Sequence, residues 1–134
     1  MAETWEDFVA AWQTDPLQAK TALLAFRELL TEPGVRFAFK ARPKISYSLR
    51  AAHAAQKKRE LFVLMDVIDD DPEQRWLSVC FYADMVSDPD ERGDFVPKGL
   101  LGEDACCFNY EEHDPAMQAY IADRLREALA HAKS

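Results

Sequence analysis

Two runs of apolar, β-forming residues lie close together in the middle of this chain of 134 residues. Residues 61–68 read LFVLMDVI and residues 76–82 read WLSVCFY, and the polar link between them contains Pro72. Apolar runs around a polar, proline-containing link are typical of a β-hairpin. Both alternating sets of side chains in the first run are mostly apolar, so we expect that strand to be central and covered on much of both faces.

Helices are predicted at both ends of the chain. Apolar residues at helical spacing follow Thr4, Asp15 and Asp114, which are residue types that begin helices, and a proline comes directly after both aspartates. The resulting helices are expected over about residues 5–13, 15–31 and 114–132.

Alternating apolar and polar residues predict further strands between these helices. The strands are expected over residues 35–40, 45–50 and 105–110, whereas residues 51–58 are interpreted as a mobile connection, 83–92 as one or two helical turns and 93–102 as a packed loop. We therefore expect residues 1–134 to form a single α+β domain, with a mainly antiparallel sheet of about five strands and with N-terminal and C-terminal helices packed on one face. A parallel doubly wound sheet would need a helix between successive strands, and the sequence lacks those helices.

The composition is typical of a globular domain, with 49% hydrophobic and 30% charged residues. No apolar run approaches the roughly 18 residues of a membrane span. Residues 1–7 are acidic where a signal peptide would be basic, so we expect a cytoplasmic protein with no membrane partner. Cys80, Cys106 and Cys107 fit neither a disulfide framework nor the CxxC spacing of a zinc site, and we expect reduced, mostly buried thiols.

Charge is distributed unevenly along the chain. The net charge is −8, yet residues 35–59, here called the basic quarter, contain eight basic residues and no acidic one. Residues 60–112 contain 15 acidic residues against three basic ones. The acidic total disfavours general nucleic-acid binding, because the release of counterions favours basic proteins.

The basic quarter predicts a binding face. If the strands at 35–40 and 45–50 pair, residues of one parity share a solvent-facing side of the sheet. That side would carry Arg36, Lys40, Ser48 and Arg50, with Tyr82 added from a neighbouring strand, and these five are the predicted ligand-binding residues. Cations beside hydroxyls and an aromatic ring suit a carboxylate, a phosphate or an acidic peptide. The alternatives are that the acidic half of the chain neutralises these cations, or that they only keep the strand face soluble.

No known catalytic or metal-binding pattern occurs among the acidic residues, serines and cysteines. The stretch from Asp88 begins like a calcium-binding loop, but it places Arg92 at a ligand position and Gly99 where a bidentate Glu belongs. We therefore predict no catalytic residue, no metal and no cofactor. Asp66 stands out because it interrupts an apolar strand, and a buried carboxylate needs a partner. We expect Arg50 or Arg59 to pair with it.

The order of elements resembles that of the small bacterial MmcQ/YjbR-like and YdhG-like domains over about residues 17–130. The likeness lies in a leading helix followed by Gly34-Val35, in the strands containing residues 58–66 and 76–79, and in a Gly/Pro loop before the last strand and helix. The resemblance implies a single α+β unit of a kind whose function is mostly unknown, and it carries over no catalytic residues. Relatives of the first group often have a Lys after the second hairpin strand and a basic, aromatic last strand. This chain has Cys80-Phe81 and Cys107-Phe108-Asn109 there, which does not favour the DNA-binding role suggested for that group.

Three functions are compatible with these features. The first is a non-enzymatic binding or interaction module that engages a small anion or an acidic protein segment through the basic sheet face. The alternative is a metal-dependent hydrolase using Asp66 with Asp84 or Glu103, and a second alternative is nucleic-acid binding by the basic quarter. The sequence leaves the identity of the ligand, the strand order and the oligomeric state open.

Overall fold

The computed structural model describes residues 4–134. The helices are α1 (Trp5–Ala11), α2 (Ala19–Leu30) and α3 (Pro115–Lys133), and the strands are β1 (Val35–Arg42), β2 (Ser46–His53), β3 (Val63–Ile68), β4 (Trp76–Tyr82), β5 (Asp94–Leu100) and β6 (Glu103–Tyr110). A short 3-10 turn, Ala83–Met85, follows β4. Met1, Ala2 and Glu3, part of the acidic start that differs from a signal peptide, lie outside the described residues.

The strands pair antiparallel in one sheet with the order β1-β2-β3-β4-β6-β5. The α+β fold with an antiparallel sheet is therefore confirmed. The sheet has six strands instead of about five, because part of the segment predicted as a packed loop forms β5. Pro97 and Gly99 gave that segment the composition of a loop. β5 is an edge strand with all but its last residue exposed, and edge strands tolerate proline.

Side-chain caps begin the helices largely where the sequence predicted. Thr4 and Asp114 accept backbone N–H groups of the first turns of α1 and α3, at 3.1 and 3.0 Å. Asp15 also accepts helical N–H groups, from Ala19 and Lys20, but it lies outside the helix it caps. As a result α2 begins at Ala19, later than predicted.

A continuous row of apolar side chains crosses one face of the sheet. Its members, which we call the apolar row, are cross-strand neighbours on five adjacent strands: Phe39, Leu49, Met65, Val79 and Phe108. The last four are at most 2% exposed, and Phe39 on the edge strand is partly buried. β3 lies inside the sheet, as its composition predicted.

All three helices contribute to the core on the face of the apolar row. Phe8 of α1 stacks on Tyr47 with the ring centroids 4.2 Å apart, and Tyr120 of α3 lies 5.8 Å from Phe108 between ring centroids. α2 adds Phe26 to the same core. Since each fully buried side chain of this size stabilises the fold by about 1.5–3 kcal/mol, this face supplies most of the apolar stabilisation.

The neighbouring residue on each of the same five strands points to the opposite face, because side chains alternate along a strand. These residues are also cross-strand neighbours, and we call them the polar row: Lys40, Ser48, Asp66, Ser78 and Asn109. The face that they share is called the polar face below. It is the side of the sheet that carries the basic residues of β1 and β2.

The connection between β2 and β3 differs from the mobile connection predicted for residues 51–58. β2 continues to His53, and Ala51 is fully buried between Phe37 of β1 and Val63 of β3. The alanines gave this stretch little strand preference, but in an inner strand packing between neighbours outweighs propensity. The side-chain amide of Gln56 then donates to two carbonyls of the same connection, at 3.1 and 2.9 Å.

Candidate functional site

Four cations of the β1–β2 hairpin lie on the polar face. They are Arg36, Lys40, Arg42 and Arg50, here called the hairpin cations. Arg50 is directly opposite Ala38, so Arg36 and Lys40 are its two diagonal neighbours, at a separation of about 7–8 Å between Cα atoms. The pairing therefore brings Arg36, Lys40 and Arg50 together on one face, as their parity predicted.

The hairpin cations have no carboxylate partner within residues 4–134. None of their side-chain nitrogens lies within 4.0 Å of a carboxylate oxygen. Arg42 donates from Nη2 to the hydroxyl of Ser46 at 3.3 Å. The buried Nε of Arg50 has no hydrogen-bond partner among the described residues. A buried guanidinium donor of this kind favours a ligand that accepts hydrogen bonds.

A cleft of about 300 Å³ lies over two of the hairpin cations. Its walls include Arg36 and Arg50 on the sheet and Glu60 and Leu61 in the connection before β3. Two guanidinium groups and one carboxylate line it, so its charge is positive on balance. The connection thus turns the basic end of the polar face into a concave site.

The acidic half of the chain pairs with other cations. Arg59 donates to both Asp84 and Glu103, with its shortest contacts at 2.8 and 2.7 Å. These bonds raise the pKa of Arg59 above its usual value, and they lower the pKa of Asp84. Arg75 donates to the buried Asp69 at 2.6 Å. Internal ion pairing in the described residues therefore satisfies Arg59 and Arg75 and leaves the hairpin cations available.

A larger cleft of about 570 Å³ lies near the C-terminal end of α3. Lys57 and Lys58 line it together with Arg59, Asp84 and Glu103, which are the members of the ion-pair cluster just described. Because its guanidinium and carboxylate groups already bind one another, we place the candidate site in the smaller cleft.

Asp66 lies at the centre of the polar row and is partly buried. The hydroxyl of Ser48, directly opposite on β2, donates to its carboxylate. Burial raises the pKa of Asp66, while Ser48 and the positive charges of Arg42 and Arg50 oppose that rise. The predicted pairing with Arg50 or Arg59 is wrong. Arg50 is a diagonal neighbour of Asp66, but no guanidinium nitrogen of Arg50 lies within 4.0 Å of a carboxylate oxygen of Asp66. Arg59 binds Asp84 and Glu103 instead.

Ser48 and Tyr82, the two remaining predicted ligand-binding residues, are less accessible. Ser48 is only 3% exposed and its hydroxyl is bonded to Asp66. Tyr82 is 2% exposed, and the guanidinium carbon of Arg59 lies 4.1 Å from the centre of its ring. β4 lies three strands from β1, or on the order of 14 Å, so the structure separates Tyr82 from the hairpin cations.

Sequence reasoning missed three residues of this region. Arg42 lies beyond the strand predicted over residues 35–40, but β1 extends to it, and its parity matches that of Arg36 and Lys40. That parity was the signal that could have identified it. Glu60 and Leu61 line the cleft through the path of a loop, for which the sequence gave no signal.

The cysteines differ from the reduced thiols that we expected. Cys80 and Cys107 are directly opposite on β4 and β6 and form a disulfide on the polar face. They are 27 residues apart in the chain, so their proximity depends on strand pairing. Cys106 is free, and burial raises the pKa of its thiol.

The described residues do not assemble a metal site of the kind the hydrolase alternative requires. In residues 4–134, no group of three or more His, Cys, Asp or Glu side chains is arranged to hold a metal ion. Asp84 and Glu103, the proposed partners of Asp66, instead share Arg59.

A scan against protein-family models, a search of curated proteins and a search of solved structures each found no match. The resemblance to MmcQ/YjbR-like and YdhG-like domains therefore stays a prediction. Within the part of the chain that the structure describes, no helix has both the length and the apolar character needed to cross a membrane.

Proposed function

We propose that this protein is a non-enzymatic binding module whose polar face engages an anionic group, carried by a small molecule or by an acidic protein segment. Arg36, Lys40 and Arg50 are the residues that would contact the anion, and Arg42 extends the same charged surface. Ser48 is left out of the contacting set, because it is buried and its hydroxyl donates to the carboxylate of Asp66. Tyr82 is left out of the proposed set, since Arg59 covers its ring.

The observation that carries this proposal is the contrast between two groups of cations. Arg59 and Arg75 each have a carboxylate within 2.8 Å, whereas none of the hairpin cations has one within 4.0 Å in residues 4–134. The chain has a net charge of −8, yet these cations lie together beside a cleft without carboxylate partners among the described residues. A carboxylate or phosphate bound there would gain charge-assisted hydrogen bonds.

The test is a titration of the protein with inorganic phosphate, citrate and a short polyglutamate peptide at low ionic strength, followed by amide NMR. We expect at least one probe to shift resonances of β1 and β2. Arg50→Glu should weaken that binding by at least about tenfold, because it places a negative charge beside the anion. Lys98→Glu is the matched control, since it makes the same change of charge at an exposed position on the opposite edge strand.

Two results would overturn the proposal. One is the absence of shifts in β1 and β2 with all three probes. The other is binding to Arg50→Glu with unchanged affinity while its amide spectrum shows the native fold.

We also propose a cytoplasmic location, and the disulfide gives a way to test it. Disulfides are rare in reducing compartments, so the Cys80–Cys107 bond counts against this location, which requires both residues to be reduced in the cell. Rapid acid quenching of cells, followed by alkylation under denaturing conditions and mass spectrometry, should then label both residues. Recovery of the pair in the unlabelled, oxidised form would contradict this location.

A further inference from the structure

The two edges of the sheet are built differently. β5 carries Pro97 and Gly99, its register with β6 shifts between Val96 and Leu100, and Lys98 has a left-handed backbone with φ of 55°. Such features discourage the addition of another strand. β1 pairs with β2 without a register shift over all eight residues and contains no proline. β1 is therefore the edge that is open to a further strand.

The outward main-chain groups of β1 follow from its pairing. The N–H of Ala54 donates to the carbonyl of Gly34 at 2.8 Å, and hydrogen-bonded pairs recur at every second residue of an antiparallel ladder. The even-numbered residues of β1 thus bond to β2, and Phe37, Phe39 and Ala41 direct their N–H and C=O groups away from the sheet. In residues 4–134, no backbone–backbone hydrogen bond outside the strand ladders uses these groups.

The side chains of β1 specify what kind of strand would fit. On the polar face, Arg36, Lys40 and Arg42 are exposed, and on the opposite face Phe37 and Phe39 are only partly buried. A strand added to this edge would place alternate side chains opposite cations and opposite aromatic rings. A second copy of β1 in symmetric antiparallel pairing would place cations opposite cations, which is unfavourable.

We infer that β1 receives an extended, acidic segment of a protein partner as a seventh strand, antiparallel to β1 like every other pairing in the sheet. In this segment acidic residues alternate with apolar ones. The carboxylates face Arg36, Lys40 and Arg42, the apolar side chains lie beside Phe37 and Phe39, and the main chain bonds to the outward groups of β1. The inference rests on the proposed function, because it assigns an anionic partner to three of the hairpin cations, Arg36, Lys40 and Arg42.

The test uses three capped peptides with the same alternation of Glu and Val. One is unmodified, one is N-methylated at the valines, and one is N-methylated at the glutamates. When the peptide pairs antiparallel with β1 and its valines lie opposite Phe37 and Phe39, the valine N–H groups point to β1 and those of the glutamates point to solvent. Methylation at valine should therefore weaken binding by at least about tenfold, and methylation at glutamate should change it little.

Hydrogen exchange gives a second readout on the full chain. The amides of Phe37, Phe39 and Ala41 should become protected when the unmodified peptide binds. Those of Ala38 and Lys40 already bond to β2 in the free protein, and they are the internal reference.

The outcomes separate this inference from the proposed function. Equal binding of both methylated peptides, or no added protection at Phe37, Phe39 and Ala41, would overturn strand addition and leave a basic binding face. If no peptide binds, but phosphate binds in a way that depends on Arg50, strand addition is also overturned and the basic binding face remains. If no peptide, phosphate or citrate binds, both proposals are wrong.

Discussion

Side chains one residue apart on a strand point to opposite faces of the sheet, and the two faces differ in composition and burial. The apolar row and the polar row cross the same five strands, and one register of each strand pair aligns both rows. The first lies under the helices and is almost fully buried, while the second contains a lysine, two serines, an aspartate and an asparagine. Since a shift of one residue would exchange the two faces, the apolar row fixes the register that also assembles the polar row.

Stability and recognition are divided between the two faces of this domain. Most of the large buried side chains of the sheet lie on one face, and cations without carboxylate partners among the described residues lie at one end of the other. A surface that contributes little to folding is free to bind a partner, because its side chains can change their contacts without unfolding the domain.

Phe108 and Asn109 are adjacent on β6 and belong to opposite rows, so they give a matched comparison. Phe108→Ala should lower the free energy of unfolding by about 3–5 kcal/mol, because it removes a fully buried ring and leaves a cavity. Asn109→Ala should lower it by less than about 1 kcal/mol. Chemical denaturation of both variants measures the difference. Similar losses in the two variants would show that the faces do not differ in this way.

The disulfide is the exception on the polar face, since it stabilises the fold without apolar burial. Closure of the loop between Cys80 and Cys107, which are 27 residues apart, should stabilise the domain by about 3.5 kcal/mol in the chain-entropy view. Adding a reductant should lower the free energy of unfolding by about that amount. The same reductant should have no effect on Cys80→Ala. A thiol titration of the unfolded, unreduced protein that finds three thiols would contradict the disulfide.

Asp66 should make the polar face sensitive to pH. Burial raises its pKa above the ordinary value of 3.8, so the folded protein holds this proton more tightly than the unfolded chain does. Its contribution to stability is therefore fully present below the unfolded pKa, and it is lost as the pH rises through the folded pKa. Asp66→Asn keeps an acceptor for Ser48 and removes the charge. Its free energy of unfolding should fall less than that of the wild type between about pH 4 and pH 7.

The control for this pH dependence is Glu111→Gln, which removes a charge at an exposed position. Denaturant unfolding at several pH values should give Glu111→Gln the slope of the wild type. A steeper decline in Asp66→Asn than in the wild type would mean that the carboxylate is stabilised in the folded state, contrary to the structure.

The sequence predicted the helices and strands that build the apolar face well. Caps at Thr4 and Asp114, the central hairpin and the alternation in β1 each depend on local patterns that the fold preserves. The grouping of Arg36 and Arg50 also followed from parity alone, once the strands were assumed to pair.

What the sequence did not predict depends on contacts between distant segments. Arg59 could bind several carboxylates, and only the tertiary path of its loop selects Asp84 and Glu103. Cys80 and Cys107 become partners because β6 lies between β4 and β5, a strand order that no local pattern encodes. The cleft over Arg36 and Arg50 arises in the same way, from the path of the connection before β3.

Replacement of Lys40 gives the most direct test of the division between the faces, and it should change stability the least. Lys40→Gln removes a cation with no carboxylate within 4.0 Å in residues 4–134, so the free energy of unfolding should change by less than about 0.5 kcal/mol. The same variant should bind the acidic probes more weakly, because one of the proposed contacts is missing. Lys98→Gln, at the opposite edge, should leave both quantities unchanged. If Lys40→Gln lowers the free energy of unfolding by more than about 1 kcal/mol, the division between the faces is wrong. An exposed lysine without an ion pair has no contact whose removal could produce such a loss.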